Sequence, residues 1–241
     1  MYLRILLTLT LCTASALQPA LAQPARQNAR AENTAVSAFI NELAADNGIY
    51  ISTRRIEFFS DLAKGQHPFA TVVTCSDSRV HTNMFSRTPE GKLFMIRNIG
   101  NQLATAEGSV EYGVHHLHTP VLMFVGHARC GAIAAVSGNY SKESEAIRRE
   151  LDTIIISSGL NNMDGVRANV HNQVAAAMKK FEEEVRKGEL VVIGAVMDFA
   201  DDLHSGAGKL HVINVNGETS GEKLADVKAL LSEKRLRGSA H

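Results

Sequence analysis

The sequence predicts an α/β fold: a central, mainly parallel β-sheet of four parallel strands with an antiparallel edge strand, flanked by helices and preceded by an N-terminal helical arm. Two observations predict it. Short apolar runs alternate with longer segments of helical periodicity, the pattern of a parallel sheet covered on both faces by crossover helices. Two of those runs, 69–74 and 121–126, end abruptly in clusters of cysteine, histidine, aspartate and arginine. Ligands of open α/β sheets bind outside the carboxyl ends of the strands.

The elements follow in order. Met1 to Arg4 is a short positive stretch, Ile5 to Leu17 an apolar run too short to span a bilayer, and Ala20-Leu21-Ala22 a small-residue cleavage pattern. Together they read as a signal peptide over 1–22, which implies export, a periplasmic location and no membrane anchor after cleavage. Residues 23–33 read as a flexible mature N-terminus and 34–241 as a single domain, in a chain whose 45% hydrophobic content suffices for one core. Val36, Phe39, Ile40 and Leu43 recur at helical spacing and predict a helix over 34–45, stopped by Asn47-Gly48. A second helix covers about 53–64, ended by Gly65 and Pro68. The first strand ends at Cys75, and the second, Lys92 to Arg97, runs into the Asn98-Ile99-Gly100-Asn101 turn. A helix over 105–117 contains Gly108 and Gly113; an interior Gly costs roughly 1 kcal/mol against Ala, so close packing is expected at both. Pro120 opens the third strand, which ends at His127. Helices are predicted over 132–136, 144–157, 164–187 and 222–235, a fourth strand over 190–196, and a weakly alternating edge strand over 209–215.

Lys plus Arg equal Asp plus Glu at 25 each, so no net charge draws the chain to nucleic acid or to an anionic membrane. Trp is absent and aromatics are few, which argues against a stacking platform for bases.

Cys75, His127 and Cys130 form a candidate metal set. Two thiolates and one imidazole suit zinc, and three protein ligands with an open fourth position mark a catalytic site rather than a structural one. Adjacent parallel strands lie about 5 Å apart, so ligands 52 positions apart in the chain can meet at one ion. Zinc lowers the pKa of water toward ~7, giving hydroxide for attack on an electrophilic carbon. Asp77 and Arg79 stand just beyond Cys75, and an extended chain would put all three on one side. An Asp–Arg pair keeps the carboxylate ionised and fixed in direction, ready to orient the attacking water. The residues alone leave three alternatives open: Asp77 as a fourth zinc ligand, Asp77 and Arg79 as a surface ion pair, and a Cys75–Cys130 disulfide. Removal of Cys12 with the signal peptide leaves only those two cysteines, and in an oxidising compartment a disulfide is their default use.

Cys75-Ser76-Asp77-Ser78-Arg79 followed by His127-Ala128-Arg129-Cys130-Gly131 resembles the β-class carbonic anhydrases. Arg97-Asn98-Ile99-Gly100-Asn101 and Glu111-Tyr112-Gly113-Val114 are similar to two further segments of that family, and the resemblance covers roughly Ile56 to Gly217. It implies reversible hydration of carbon dioxide to bicarbonate and a proton, with Zn2+ on Cys75, His127 and Cys130 and the pair Asp77–Arg79 beside it. It also implies a homodimer or dimer of dimers, with N-terminal helices wrapping a partner. One subset of the family closes its site with Asp77 on zinc under bicarbonate control that uses a Trp, and this chain has no Trp. Met197 stands where the family often has Tyr, Val80 where Pro often follows the first motif, and the 200–206 segment is longer than the usual hairpin.

Other readings of the same site are a hydrolase of carbon disulfide or carbonyl sulfide and a non-catalytic zinc or thiol-redox protein. His115, His116 and His118 read as a solvated helix end, because no carboxylate stands at matching spacing for a second metal site. A proton-shuttle role for them rests only on titration near neutral pH. Gly131 and the helix behind it offer N–H groups to an anion such as bicarbonate.

Overall fold

The computed structural model describes residues 22–222, 224 and 225. The predicted signal peptide up to residue 21, and nearly all of the helix expected over 222–235, lie outside the described residues. The chain divides into two compact units, one ending at Asp61 and the other starting at Leu62.

The first unit is helical. Where a loose segment over 23–33 and a stop at Asn47-Gly48 are expected, α1 runs unbroken over Ala22–Ser52. Its opening turns are rich in Ala, Gln, Arg and Glu, all strong helix formers, and Pro24 falls in the first turn, where proline is tolerated. A single interior Gly is too small a cost to break so long a helix. It ends instead in a local cluster, where the Arg54 guanidinium lies 3.5 Å from the centre of the Tyr50 ring and Tyr50, Phe58 and Phe59 meet edge to face. The following helix, α2, spans Ile56–Leu62. The stripe Val36, Phe39, Ile40 and Leu43 is more than half exposed at every position.

The second unit is built on a five-stranded sheet. Its strands are β1 (Ala70–Cys75), β2 (Leu93–Asn98), β3 (Val121–His127), β4 (Val191–Asp198) and β5 (Lys209–Val215). The order is β2-β1-β3-β4-β5, with β5 antiparallel to β4 and all other pairs parallel. This is the predicted sheet. All six residues of β1 are buried, which is why it reads as a continuous apolar run instead of alternating. After β1 the chain goes first to one side, to β2, and then returns to the other, to β3. That reversal makes the carboxyl ends of β1 and β3 the crevice where such sheets bind ligands.

Helices α3 (Glu107–Glu111), α4 (Gly131–Val136), α5 (Glu145–Leu151), α6 (Asn162–Lys180) and α7 (Glu182–Arg186) complete the unit. The segment expected as one helix over 105–117 changes at Tyr112 into a π-helical turn, Tyr112–His116. Gly113 in that turn is a genuine close contact, since a Cβ there would lie 2.1 Å from Thr71 Oγ1 on β1. Gly108 is not, for nothing lies within 4 Å of its missing Cβ. The helix expected over 144–157 stops at Leu151, ahead of the β-branched run Thr153-Ile154-Ile155-Ile156, whose side chains crowd a helical turn. The one expected over 164–187 breaks at Phe181 (φ −112°, ψ 38°), whose ring is fully buried in the core with Phe124 and Leu122.

Candidate metal centre

Cys75 ends β1, His127 ends β3, and Cys130 caps α4. Sheet register brings the first two together, and a tight turn brings the third. Arg129 sits at φ 55° in that turn, a left-handed conformation unusual for a residue with a side chain. It reverses the chain so that His127 and Cys130 face one point. The ligand atoms of Cys75, His127 and Cys130 all lie within 4.8 Å of one another, and all three residues are buried. Cys75 and Cys130 are free thiols.

The imidazole leaves one nitrogen available to a metal. Nδ1 of His127 lies 3.0 Å from the carbonyl oxygen of Ala128, which can only accept, so Nδ1 carries the proton. Nε2 is left with a lone pair, is buried, and has no hydrogen-bond partner. A buried lone pair costs free energy unless something takes it, and a ring whose other nitrogen donates to a backbone carbonyl is the usual state of a metal-bound histidine. The ring is stacked on Phe199, centroids 5.8 Å apart.

The thiols are tuned by each other. Hydrogen bonding from Cys130 pulls Cys75 down to about 4 against the cost of burial, helped by the backbone N–H groups of Gly100 and Asp77. The same contact with Cys75, together with burial, pushes Cys130 up. Ile133 and Ala132 direct their N–H groups at the Cys130 sulfur. Two N–H groups of the first turn of α4 are thereby drawn to this sulfur. Gly100, at φ 76°, is required beside Cys75: a Cβ would lie 2.6 Å from Ile154 Cδ1.

Asp77 and Arg79 meet, although not through an extended strand. Val80 N donates to Asp77 O and Arg79 N to Asp77 Oδ1 (3.0 and 2.9 Å), so the chain turns at this point. The turn lets the guanidinium grip the carboxylate at both oxygens, Nε to Oδ1 at 2.9 Å and Nη2 to Oδ2 at 2.7 Å. The Arg79 guanidinium holds the Asp77 carboxyl well below the usual range, with the Arg79 N–H adding to the effect. Asp77 Oδ2 stands 3.7 Å from His127 Nε2, at the edge of the ligand cluster.

Four further residues hold this arrangement. Arg97 on β2 donates to the carbonyl oxygens of Cys75 (3.2 Å) and Asp77 (2.7 Å). The Asn162 amide clamps Cys130 by accepting from its N–H and donating to its carbonyl, both at 3.0 Å. Phe199 lies under both His127 and the Arg79 guanidinium, which is 4.8 Å from its ring centre. Asp198, fully buried at the carboxyl end of β4, accepts N–H groups of Ala200, Asp202 and Leu203 and so shapes the loop that carries Phe199. Arg97 was visible in the sequence only as part of a motif; Asn162 and Phe199 carry no local signal, since their partners are distant in the chain.

Burial alone would raise the Asp198 carboxyl, but the N–H donors of Leu203, Asp202 and Ala200 outweigh it and hold the group below its ordinary value. A carboxyl depressed by folding stabilises above its unfolded pKa of about 3.9 and loses that contribution as pH falls through the folded value. Asp198→Asn is expected to cost about 1–3 kcal/mol near neutral pH, measured by urea unfolding. The gap from wild type should narrow below about pH 4; an equal gap at both pH values would show that the charge is irrelevant.

The histidines at 115, 116 and 118 are not near this centre. His118 lies just before β3 and His127 at its far end, about 20 Å away along a strand rising ~3.3 Å per residue. Within one chain this separation is too long for direct proton transfer from the histidine cluster to the centre.

The family model described as carbonic anhydrase matches residues 70–206, more than half of the chain. Carbonic anhydrase 2 of Mycobacterium tuberculosis is 27% identical over 165 residues, covering 62% of this chain and 79% of that protein. A carbonic anhydrase of Synechococcus elongatus is 39% identical over 84 residues, 32% of this chain and 31% of that one. Among solved structures, a tetrameric β-carbonic anhydrase of Sordaria macrospora superposes with a TM-score of 0.63 at 22% identity, over 74% of this chain and 98% of that chain. With a buried Cys-His-Cys group at the carboxyl ends of β1 and β3 and a family match running through all three residues, this chain belongs to the β-class carbonic anhydrases, zinc enzymes that hydrate carbon dioxide.

Proposed function

We propose that Cys75, His127 and Cys130 hold a catalytic zinc ion and that Asp77, aimed by Arg79, orients the water that attacks carbon dioxide. The observation that carries this is His127 Nε2: buried, without a hydrogen-bond partner, clustered with two sulfurs, and 3.7 Å from an Asp77 oxygen. Zinc bound there supplies a Lewis acid that makes water a nucleophile near neutral pH. The chain's own residues do the rest. Asp77 stays ionised because Arg79 and a backbone N–H hold it, and its Oδ2 keeps a further lone pair to accept a hydrogen bond from the attacking water. Phe199 covers one side of His127 and of the Arg79 guanidinium and so holds both in place. Arg97 fixes the carbonyls of residues 75 and 77, and with them the distance from ligand to acceptor. An open metal position is favoured over closure by Asp77, since moving the carboxylate onto the ion would forfeit its three hydrogen bonds to Arg79.

The exposed apolar stripe Val36, Phe39, Ile40 and Leu43 supports a homodimer, or a dimer of dimers, in which α1 packs against a second copy. The apolar segment 5–17 with Ala20-Leu21-Ala22 supports cleavage after Ala22 and a periplasmic enzyme. No helix among the described residues is long and apolar enough to cross a membrane.

Metal analysis paired with stopped-flow hydration of carbon dioxide tests the proposal. One zinc per chain is expected, with activity lost to a chelator and restored by zinc. An active preparation free of zinc, or one carrying a Cys75–Cys130 disulfide, would overturn it.

A further inference from the structure

Three amide side chains are buried together between the loop after β2 and α6. Gln102 and Asn169 are each 1% exposed and Gln173 is 7% exposed. A core has little need of them for stability. Buried polar groups cost free energy unless bonded, and apolar side chains of the same shape can serve as well. Their hydrogen bonds nevertheless form one directed relay. At one end stands the Gly100 carbonyl oxygen, which can only accept. It takes Gln102 Nε2 at 2.6 Å and Asn169 Nδ2 at 3.0 Å. Gln102 Oε1 then accepts from Gln173 Nε2 (2.9 Å), and Asn169 Oδ1 from Gln102 Nε2 (2.8 Å). At the other end Gln173 Oε1 accepts the Leu103 N–H at 2.8 Å, a group that can only donate. Turning any one amide over would set like against like.

The relay ends beside Cys75. Asn98 is the register partner of Cys75, and Ser76 N donates to Asn98 O at 2.9 Å. Two residues further on, the Gly100 N–H is directed at the Cys75 sulfur. Gly100 has no means of holding that direction itself. It lies at φ 76° without a side chain, Ile154 fills the space a Cβ would need, and glycine has the most backbone freedom of any residue. The restraint comes from its neighbours. Two amides grip its carbonyl, and the Asn98 side chain fixes the next turn by accepting the Gln102 N–H (2.8 Å) and donating to the Gln102 carbonyl (2.7 Å).

We propose that Asn169 and Gln102, with Gln173 behind them, are positioning residues of the metal centre: by holding the Gly100 carbonyl they keep the Gly100 N–H on the sulfur of Cys75. This rests on Cys75 being a zinc ligand. An N–H aimed at a thiolate stabilises its charge, and outer partners of this kind orient and tune the ligands of a metal. The amides act only through the backbone of Gly100.

Cadmium-113 substitution of the full chain tests this. In wild type the amide protons of Gly100 and Asp77, both directed at the Cys75 sulfur, should each show scalar coupling to the metal across the hydrogen bond. Asn169→Leu and Gln102→Met keep the side-chain bulk and remove the amide. Each is expected to lose the Gly100 coupling, to keep that of Asp77, and to bind zinc about ten-fold more weakly in chelator competition. Val174→Ala opens a cavity in the core under the same helix; it should be less stable yet keep both couplings and wild-type zinc affinity. Circular dichroism establishes that each variant is folded, and if Asn169→Leu is not, Gln102→Met and the wild-type coupling decide. The inference is overturned if wild type holding one cadmium per chain shows no coupling to Gly100, or if both amide variants keep that coupling or the wild-type affinity. It is also overturned if the Asp77 coupling vanishes with that of Gly100, or if Val174→Ala behaves as the amide variants do. Wild type that takes up neither zinc nor cadmium would instead overturn the assignment of Cys75 as a ligand, and this inference with it.

Discussion

Asp77→Asn is expected to keep its zinc and its fold and to lose about 10²- to 10⁴-fold in kcat, the range for a positioned proton acceptor. Asn is close to isosteric, so the turn at Asp77–Val80 can persist through the backbone bond that closes it. What changes is the charge that Arg79 binds at both oxygens and the acceptor 3.7 Å from His127 Nε2. Arg79→Ala should lower kcat as well, by freeing the carboxylate to turn or to reach for the metal. Because the two residues act as one unit, the double variant should be little worse than the more damaged single one. Asp77→Asn with wild-type turnover would remove Asp77 from the mechanism. Cobalt substitution supplies a second readout: its visible spectrum should be unchanged in Asp77→Asn if the wild-type position is open, and altered if Asp77 is a ligand.

His127→Ala is expected to abolish stoichiometric zinc and reduce hydration to background. The ring is fully buried, stacked on Phe199 and committed at both nitrogens, one to the Ala128 carbonyl and one to the proposed ion. Its removal leaves a cavity beside two thiols, so a loss of about 2–5 kcal/mol in stability accompanies the loss of metal. With no ion to hold them, Cys75 and Cys130 become free to oxidise. Mass spectrometry of the variant under air should find the pair bonded where the zinc-loaded wild type stays reduced. Zinc retained at one per chain in His127→Ala would show that the centre is built from other residues.

The sheet was readable from local pattern because each strand carries its own signal. β1 and β3 are apolar runs long enough to be strands and too short to be helices, and their last residues are two of the proposed ligands. β5 was found at its observed ends, Lys209–Val215, because a half-buried edge strand still alternates. Helix ends were harder. α1 passes through Gly48 and starts at Ala22, since a long run of strong helix formers absorbs one unfavourable residue. The break at Phe181 depends on a ring finding room in a core assembled from distant segments, and no local pattern carries that.

The site divides in the same way. Cys75, Asp77, Arg79, His127 and Cys130 were legible because their types and short-range spacing state a chemistry, and because the ends of parallel strands are where such chemistry collects. That Asp77 and Arg79 meet through a turn, that Phe199 lies under His127 and Arg79, that Asn162 clamps Cys130, and that Glu184 faces His115 were decided only by the tertiary structure. The physical reason is range. Strand endings, apolar periodicity and ligand type are properties of a few consecutive residues. The direction of a lone pair, the partner of a carboxylate and the free face of an imidazole depend on which chain segments the closed sheet brings within hydrogen-bonding distance.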